Sequence, residues 1–188
     1  MASWPVTCLP FVTCYDYLLV AYSGIKFIYL MANILIVCTA NICRSPVVHA
    51  LLADRLSQNG YPDWQVASAG TWADRGQLAS QNSVEVLAEQ GFDISGHRSQ
   101  PVDKELLVWA DLVLGLATGH VEALRAEFPG EAYKIFLLTA MSGQPYSVYD
   151  PYGEPRPAYE RMVDEVTRLV DEGFPRIIEL SQENQRRR

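Results

Sequence analysis

The strongest constraint on the fold lies between residues 33 and 58. Asn33 is followed by Ile34-Leu35-Ile36-Val37, four apolar residues that run straight into Cys38. A run this rich in β-branched residues suits a strand buried on both faces of a parallel sheet. Six residues after Cys38 comes Arg44, followed by Ser45-Pro46. Serine can cap the free amides of a helix, and proline in its first turn loses no hydrogen bond. Val48, Leu51, Leu52 and Leu56 then recur at helical spacing. The chain therefore predicts a strand ending at Cys38, a short loop, and a helix opening at Arg44.

Such a loop is an anion site by construction. Its amides and the helix N-terminus converge and favour negative charge. The same field favours Cys38 as thiolate, the nucleophilic form of cysteine. Arg44 offers a planar fork of donors that matches two oxygens of a phosphate. Ser45 can donate to the sulfur, cap the helix, or do both. A phosphate held by Thr39, Ala40, Asn41, Ile42, Cys43 and Ser45 would rest against a reactive sulfur. Attack on phosphorus to give a phosphocysteine is the chemistry this predicts. The Cys/Arg spacing alone is weak, because cysteine is a common small core residue. The strand before it and the amphipathic helix after it make the case.

The 188 residues, 49% hydrophobic, suffice for one domain with a substantial core. A net charge of −7 gives nucleic-acid binding no electrostatic support. Four cysteines, Cys8, Cys14, Cys38 and Cys43, do not make a secreted disulfide framework in a chain this long. His49, His97 and His120 are scattered, without the pairing a zinc site needs.

Residues 1–30 are apolar and aromatic but interrupted by Pro5, Pro10, Asp16, Gly24 and Lys26, and no run spans a bilayer. The first 25 residues carry no lysine or arginine, unlike the start of a secretory signal. We expect an extension without a fold of its own; a weak membrane-associating segment around 17–30 is the competing reading. Further along, the pattern predicts strands over 64–69, 111–116 and 134–138. Helices are expected over 80–90, 101–109 and from Thr118, as a cap, to about Phe128. Gly91 suits a left-handed stop after the first of these. Ser142 to Arg156 reads as a long loop. Tyr159, Met162, Val163, Val166, Leu169 and Val170 mark a closing helix, with Gly173 and Pro175 expected to break or kink it. Residues 183–188 read as a polar basic tail, solvated rather than binding. Strands alternating with helices point to an α/β fold, a doubly wound four-stranded parallel sheet with helices on both faces, in one domain over 31–182. His49 and His120 fall on helices and read as surface or capping residues.

The string Cys38-Thr-Ala-Asn-Ile-Cys-Arg-Ser-Pro46 resembles the phosphate-binding loop of the low-molecular-weight protein tyrosine phosphatases, a specific match. The resemblance extends from about Asn33 to Leu180. Met31 stands where chains of that family usually begin. Phosphoester cleavage needs a proton for the departing oxygen. Asp150-Pro151-Tyr152-Gly153 alone would be ordinary turn chemistry, but the family carries its general acid in a late Asp-Pro-Tyr loop, which implies that role for Asp150. Catalysis is thus expected from Cys38, Arg44 and Asp150. The resemblance further implies that Asn41, Ser68 and His97 form a polar network supporting the loop. It also implies that Trp72 and Tyr152 are aromatic walls for a phosphorylated ring. Asn also tolerates a left-handed backbone, a structural reason of its own for Asn41. Ala40 stands where the family most often has glycine.

Ile42 lies where the tyrosine-directed branch carries an apolar residue and the arginine-phosphate branch typically carries threonine. The expected activity is therefore phosphotyrosine hydrolysis in proteins, with phosphoarginine as the alternative and a non-catalytic phosphate-binding module behind it. Thioredoxin-coupled arsenate reductases share the loop, but need cysteines downstream that are missing here after Cys43. Cys43 can be read as a reversible disulfide partner of Cys38 or as a loop-packing residue. No metal or organic cofactor is implied, because Arg44 and the loop amides do a cation's work. The expected partners are a phosphotyrosine protein and an oxyanion in the loop, without nucleic acid or membrane, and the expected location is the cytoplasm.

Overall fold

A computed structural model of the protein describes residues 31–188. The expected extension, 1–30, lies outside the described residues. The chain builds β1 (Asn33–Cys38), α1 (Arg44–Gln58), β2 (Gln65–Gly70), α2 (Gln81–Glu89), α3 (Lys104–Trp109), β3 (Leu112–Gly115), α4 (Thr118–Glu127), β4 (Ile135–Leu137) and α5 (Arg156–Arg187). Short 3-10 turns cover Pro129–Lys134 and Thr139–Met141. The four strands are all parallel, in the order β2-β1-β3-β4. Parallel neighbours require crossovers, and the helices that make them cover both faces.

Strand alternation divides the core in two. Ile34 and Ile36 pack with Val48, Leu51 and Leu52 of α1 and with Met162, Val163 and Val166 of α5. Leu35 and Val37 point the other way, onto Leu107 of α3 and Val121 and Leu124 of α4. With both faces covered, β1 is buried from Ile34 to Cys38, as its unbroken apolar run requires. Among the described residues no helix is long and apolar enough to cross a membrane.

Several expectations are corrected. Ser45 does not cap α1: the helix begins at Arg44 with Cys43 at the N-cap, and the Ser45 hydroxyl serves the loop. Thr118 does not cap α4 with its side chain. Its N–H instead donates to Ser147 Oγ, 3.0 Å away, from the long loop. Pro175 and Gly173 do not end α5, which runs unbroken to Arg187. Pro175 sits on the solvent side, where the carbonyl its missing N–H leaves free meets water. Gly173 is a close approach rather than a stop, since a Cβ there would lie 2.7 Å from Met141 Cβ. The polar end is helical to Arg187, and although Arg186, Arg187 and Arg188 are exposed as expected, the end does not hang free. Asn184 is buried, and Arg188 donates to the carbonyls of Val108 (2.6 Å) and Trp109 (3.2 Å). Arg188 also faces Asp111 at 3.3 Å, a buried carboxylate that needs a cationic partner.

Candidate active site

The C-terminal ends of β1 and β3 open on one edge of the sheet, where ligands bind in open α/β folds. The turn from β1 into α1 forms the floor of that edge, and Asn41 organises it. Asn41 is fully buried with φ 57°, a left-handed conformation that asparagine accepts more readily than most residues. Each of its polar groups is engaged. Its N–H donates to Cys38 Sγ (3.2 Å), and its Nδ2 donates to Ser45 Oγ (2.8 Å) and Ser68 Oγ (2.9 Å). Its Oδ1 accepts from the Gln100 N–H (3.0 Å) and its carbonyl from His97 Nε2 (2.7 Å). The end of β2 closes against the same turn. A Cβ on Gly70 would lie 2.3 Å from the Thr39 carbonyl oxygen, so only glycine fits.

These bonds determine what reaches the sulfur. Because Ser45 Oγ accepts from Asn41, its own hydrogen is free to donate to Cys38 Sγ, 3.0 Å away. Two donors thus address Cys38, which is 2% exposed. The N–H groups of Ala40, Ile42 and Cys43 have no acceptor among the described residues. Ala40 needs no left-handed backbone, since Asn41 alone among the described non-glycine residues has positive φ. Alanine therefore causes no strain where the resembling family carries glycine.

Arg44 opens α1 and is 4% exposed. Its Nη1 donates to the Val148 carbonyl (3.2 Å), and its Nη2 to Thr39 Oγ1 (3.2 Å) and Asp150 Oδ2 (2.5 Å). Its Nε–H is buried with no partner among the described residues. An unpaired buried donor costs about 1–3 kcal/mol, and an oxyanion in the loop is the partner such a group calls for. Asp150 arrives on the loop 142–155, pinned where the Val148 N–H donates to the Leu116 carbonyl (2.9 Å) beyond β3. Between floor and cover lies a cavity of about 320 Å³ lined by Cys38, Thr39, Ala40, Ile42, Cys43, Arg44, Asp74, Gln77, Asp150 and Tyr152. That is the small end of ligand pockets, suited to one modified side chain.

A family model described as low molecular weight phosphotyrosine protein phosphatase matches residues 33–185. The chain belongs to that family. It is 36% identical over 148 residues to the probable low molecular weight protein-tyrosine-phosphatase EpsP of Ralstonia nicotianae, covering 79% of this chain and 97% of that one. It is 38% identical over 140 residues to a protein-arginine-phosphatase of Geobacillus stearothermophilus, covering 74% and 91%. Among solved structures, the low molecular weight protein tyrosine phosphatase from T. tengcongensis matches with a TM-score of 0.74 at 38% identity, over 77% of this chain and 99% of that one.

Within this phosphatase, the structure brings Cys38, Arg44 and Asp150 to one cavity, with Ser68 and His97 behind the floor. Burial holds the His97 imidazole below its usual pKa, although its bond to Asn41 opposes the shift. Tyr152 lines the cavity. Trp72 does not: its N–H donates to the Thr39 carbonyl (2.8 Å), while the side chain lies 86% exposed outside the lining. Asp74 and Gln77, which were not among the expected site residues, do line it. Cys43 is a free buried thiol, its Sγ 3.9 Å from Tyr159 Oη. Burial pushes that thiol up, and burial together with Cys43 pushes Tyr159 up to about 12.

Two histidines read as surface or capping residues stand elsewhere. His49 is partly buried, with its pKa lowered by burial and by His97, and shares a second pocket with Asp93 and His97. His120 is 7% exposed, and its Nε2 lies 3.0 Å from Thr39 Oγ1 at the edge of the floor. Burial first, then Arg44, lowers its pKa to about 4. A signal was present in the chain: the first turn of a helix that follows a parallel strand faces the ligand edge of the sheet.

Proposed function

We propose that this phosphatase hydrolyses phosphotyrosine in proteins through a phosphocysteine on Cys38. One observation carries the reading. The Arg44 guanidinium joins the nucleophile's loop to the acid's loop, 3.2 Å from Thr39 and 2.5 Å from Asp150, with Nε left over for an oxyanion. Arg44 and the loop N–H groups hold the equatorial oxygens of the phosphoryl group, where charge is spread in the transition state. The Cys38 thiolate attacks phosphorus, so an S–P bond forms as the P–O ester bond breaks. Asp150, as its acid, gives its proton to the departing phenolate oxygen. Its carboxylate then takes a proton from a water that attacks phosphorus. The S–P bond breaks, and inorganic phosphate and the Cys38 thiolate are released.

Tyrosine is favoured because the apolar Ile42 and the ring of Tyr152 line the mouth and suit a flat ring. Phosphoarginine is a second reading, favoured by Asp74 on the same rim, a carboxylate suited to a guanidinium, and by the arginine phosphatase relative. The chemistry needs a reduced Cys38, which suits the cytoplasm. The test is hydrolysis of a phosphotyrosine peptide and a phosphoarginine peptide in chelator by wild type, Cys38→Ser and Asp150→Ala. Turnover of phosphotyrosine that Cys38→Ser abolishes supports the reading. Preference for phosphoarginine moves it to the second substrate, and full activity in Cys38→Ser overturns the mechanism.

A further inference from the structure

We propose that His120 is a positioning residue for this reaction: as the Nε2–H tautomer it donates to Thr39 Oγ1 and, with Arg44, turns the Thr39 hydroxyl hydrogen toward the oxyanion. The proposal rests on the catalytic reading above and adds to it a residue from the far side of the sheet. Among the described residues Thr39 Oγ1 has two neighbours within hydrogen-bond reach, Arg44 Nη2 at 3.2 Å and His120 Nε2 at 3.0 Å. A guanidinium can only donate, so Arg44 occupies one lone pair of the hydroxyl oxygen. His120 decides the rest.

Two arrangements are open. If Nε2 carries no proton, Thr39 spends its only hydrogen on the imidazole, and the proton sits on Nδ1. His120 Nδ1 is buried with no partner among the described residues, so this leaves an orphaned N–H in the interior. Orphaned buried N–H groups are rare, rarer than acceptors with a lone pair to spare. If Nε2 carries the proton, Thr39 Oγ1 accepts twice, Nδ1 is a bare lone pair, and the Thr39 hydrogen has no acceptor among the described residues. Thr39 is exposed and lines the cavity, so that hydrogen is free for solvent and, when an anion is bound, for one of its oxygens. The second arrangement leaves no orphaned N–H on the imidazole.

The packing serves this contact. His120 lies in the first turn of α4, drawn against the end of β3 because Gly115 has no side chain. A Cβ at Gly115 would sit 2.8 Å from Val121 Cγ2 and 3.4 Å from His120 Cβ. The charged groups acting on the imidazole are Arg44, which bonds Thr39, and Asp150, which bonds Arg44. With its pKa lowered to about 4, His120 is neutral at pH 7, where the tautomer is the relevant choice.

The first test is the 15N spectrum of the imidazole in the wild-type chain, which separates Nε2–H from Nδ1–H. An Nε2–H signature is expected; an Nδ1–H signature overturns the proposal. The second is the affinity for inorganic phosphate, by calorimetry, of His120→Phe, His120→Gln, Thr39→Val and the double variant His120→Phe/Thr39→Val. His120→Phe should weaken phosphate about tenfold, the size of one hydrogen bond to a charged group. His120→Gln places an amide donor near Nε2 and should recover most of the loss. Thr39→Val should lose as much as the double variant, because both remove one hydroxyl contact. Equal losses in Phe and Gln, or additive losses with Thr39→Val, overturn the role. Phosphate binding and the spectrum read this proposal even where no ester is turned over, an outcome that would remove the catalytic reading alone.

Discussion

The floor and the cover of the cavity are built on opposite principles. The floor, residues 38–45, is held by a fully buried Asn41 with every polar group paired and by a glycine that lets β2 touch it. The cover, residues 142–155, is mostly exposed, with Tyr149 58% and Tyr152 69% open to solvent. It is tied down at Val148, at Ser147 and through the Thr139 hydroxyl, which donates to the Tyr146 carbonyl (2.7 Å). The floor must present donors at fixed positions to a transition state, and preorganised donors need no reorganisation when charge develops. The cover must admit a protein side chain and release phosphate, so a lightly held segment suits it. Arg44 belongs to both: it is rooted in α1 yet bonded to Val148 and Asp150.

The comparison predicts that cover variants change rate without changing stability, and that floor variants change both. Asp150→Ala should lower kcat about 10²–10⁴-fold, as loss of a general acid does. Its unfolding free energy should change by less than about 1 kcal/mol, because the Asp150 carboxylate is 43% exposed and the buried Arg44 keeps its bonds to Val148 and Thr39. It should bind inorganic phosphate at least as well as wild type, because Arg44 loses a competing carboxylate. Weaker phosphate binding would break the division of labour. Next in size, Asn41→Ala should cost about 3 kcal/mol, since several buried partners lose their bonds at once. Asn41→Gly isolates the backbone contribution: it relieves the left-handed strain but not the lost bonds, so most of the destabilisation should persist in urea unfolding.

Gly70→Ala should cost about 2 kcal/mol by overpacking against the Thr39 carbonyl and weaken phosphate in proportion. Stability and affinity measured together would show whether floor geometry and floor binding move as one. How much of this floor could be read from the chain depends on range. Cys38, Arg44 and Asn41 were legible because one strand, one turn and one helix supply both their positions and their chemistry. Asp150 was legible only through its resemblance to a known loop, since Asp-Pro is common turn chemistry. For Ser45 the chain left two roles open, capping and donation to the sulfur, and only the long-range packing of Asn41 decides for the sulfur. The continuity of α5 past Pro175 depends on which side of the helix faces water, and the docking of Arg188 on a buried carboxylate far away in sequence. Neither is local. Nor is His120, whose direction is decided by the packing of α4 onto β3.

His120 also supplies the smallest expected effect, one that probes the seam between floor and cover. In the folded chain its pKa is lowered from 6.5 to about 4, first by burial and then by Arg44. The unfolded chain therefore binds the proton more tightly, so stability must fall as pH drops below 6.5 and level off near the folded value. His97 and His49 are shifted the same way by burial and add to the same limb. For His120 alone the loss between pH 6.5 and 5.5 is about 1 kcal/mol, less than one full proton's slope because the unfolded imidazole is only half protonated at 6.5. Urea midpoints at the two pH values in wild type and His120→Gln would measure it. Gln does not titrate, so its acid limb should be shallower by about that amount. An unchanged limb would mean that the imidazole meets water in the native state, and that the seam at Thr39 is looser than the floor beside it.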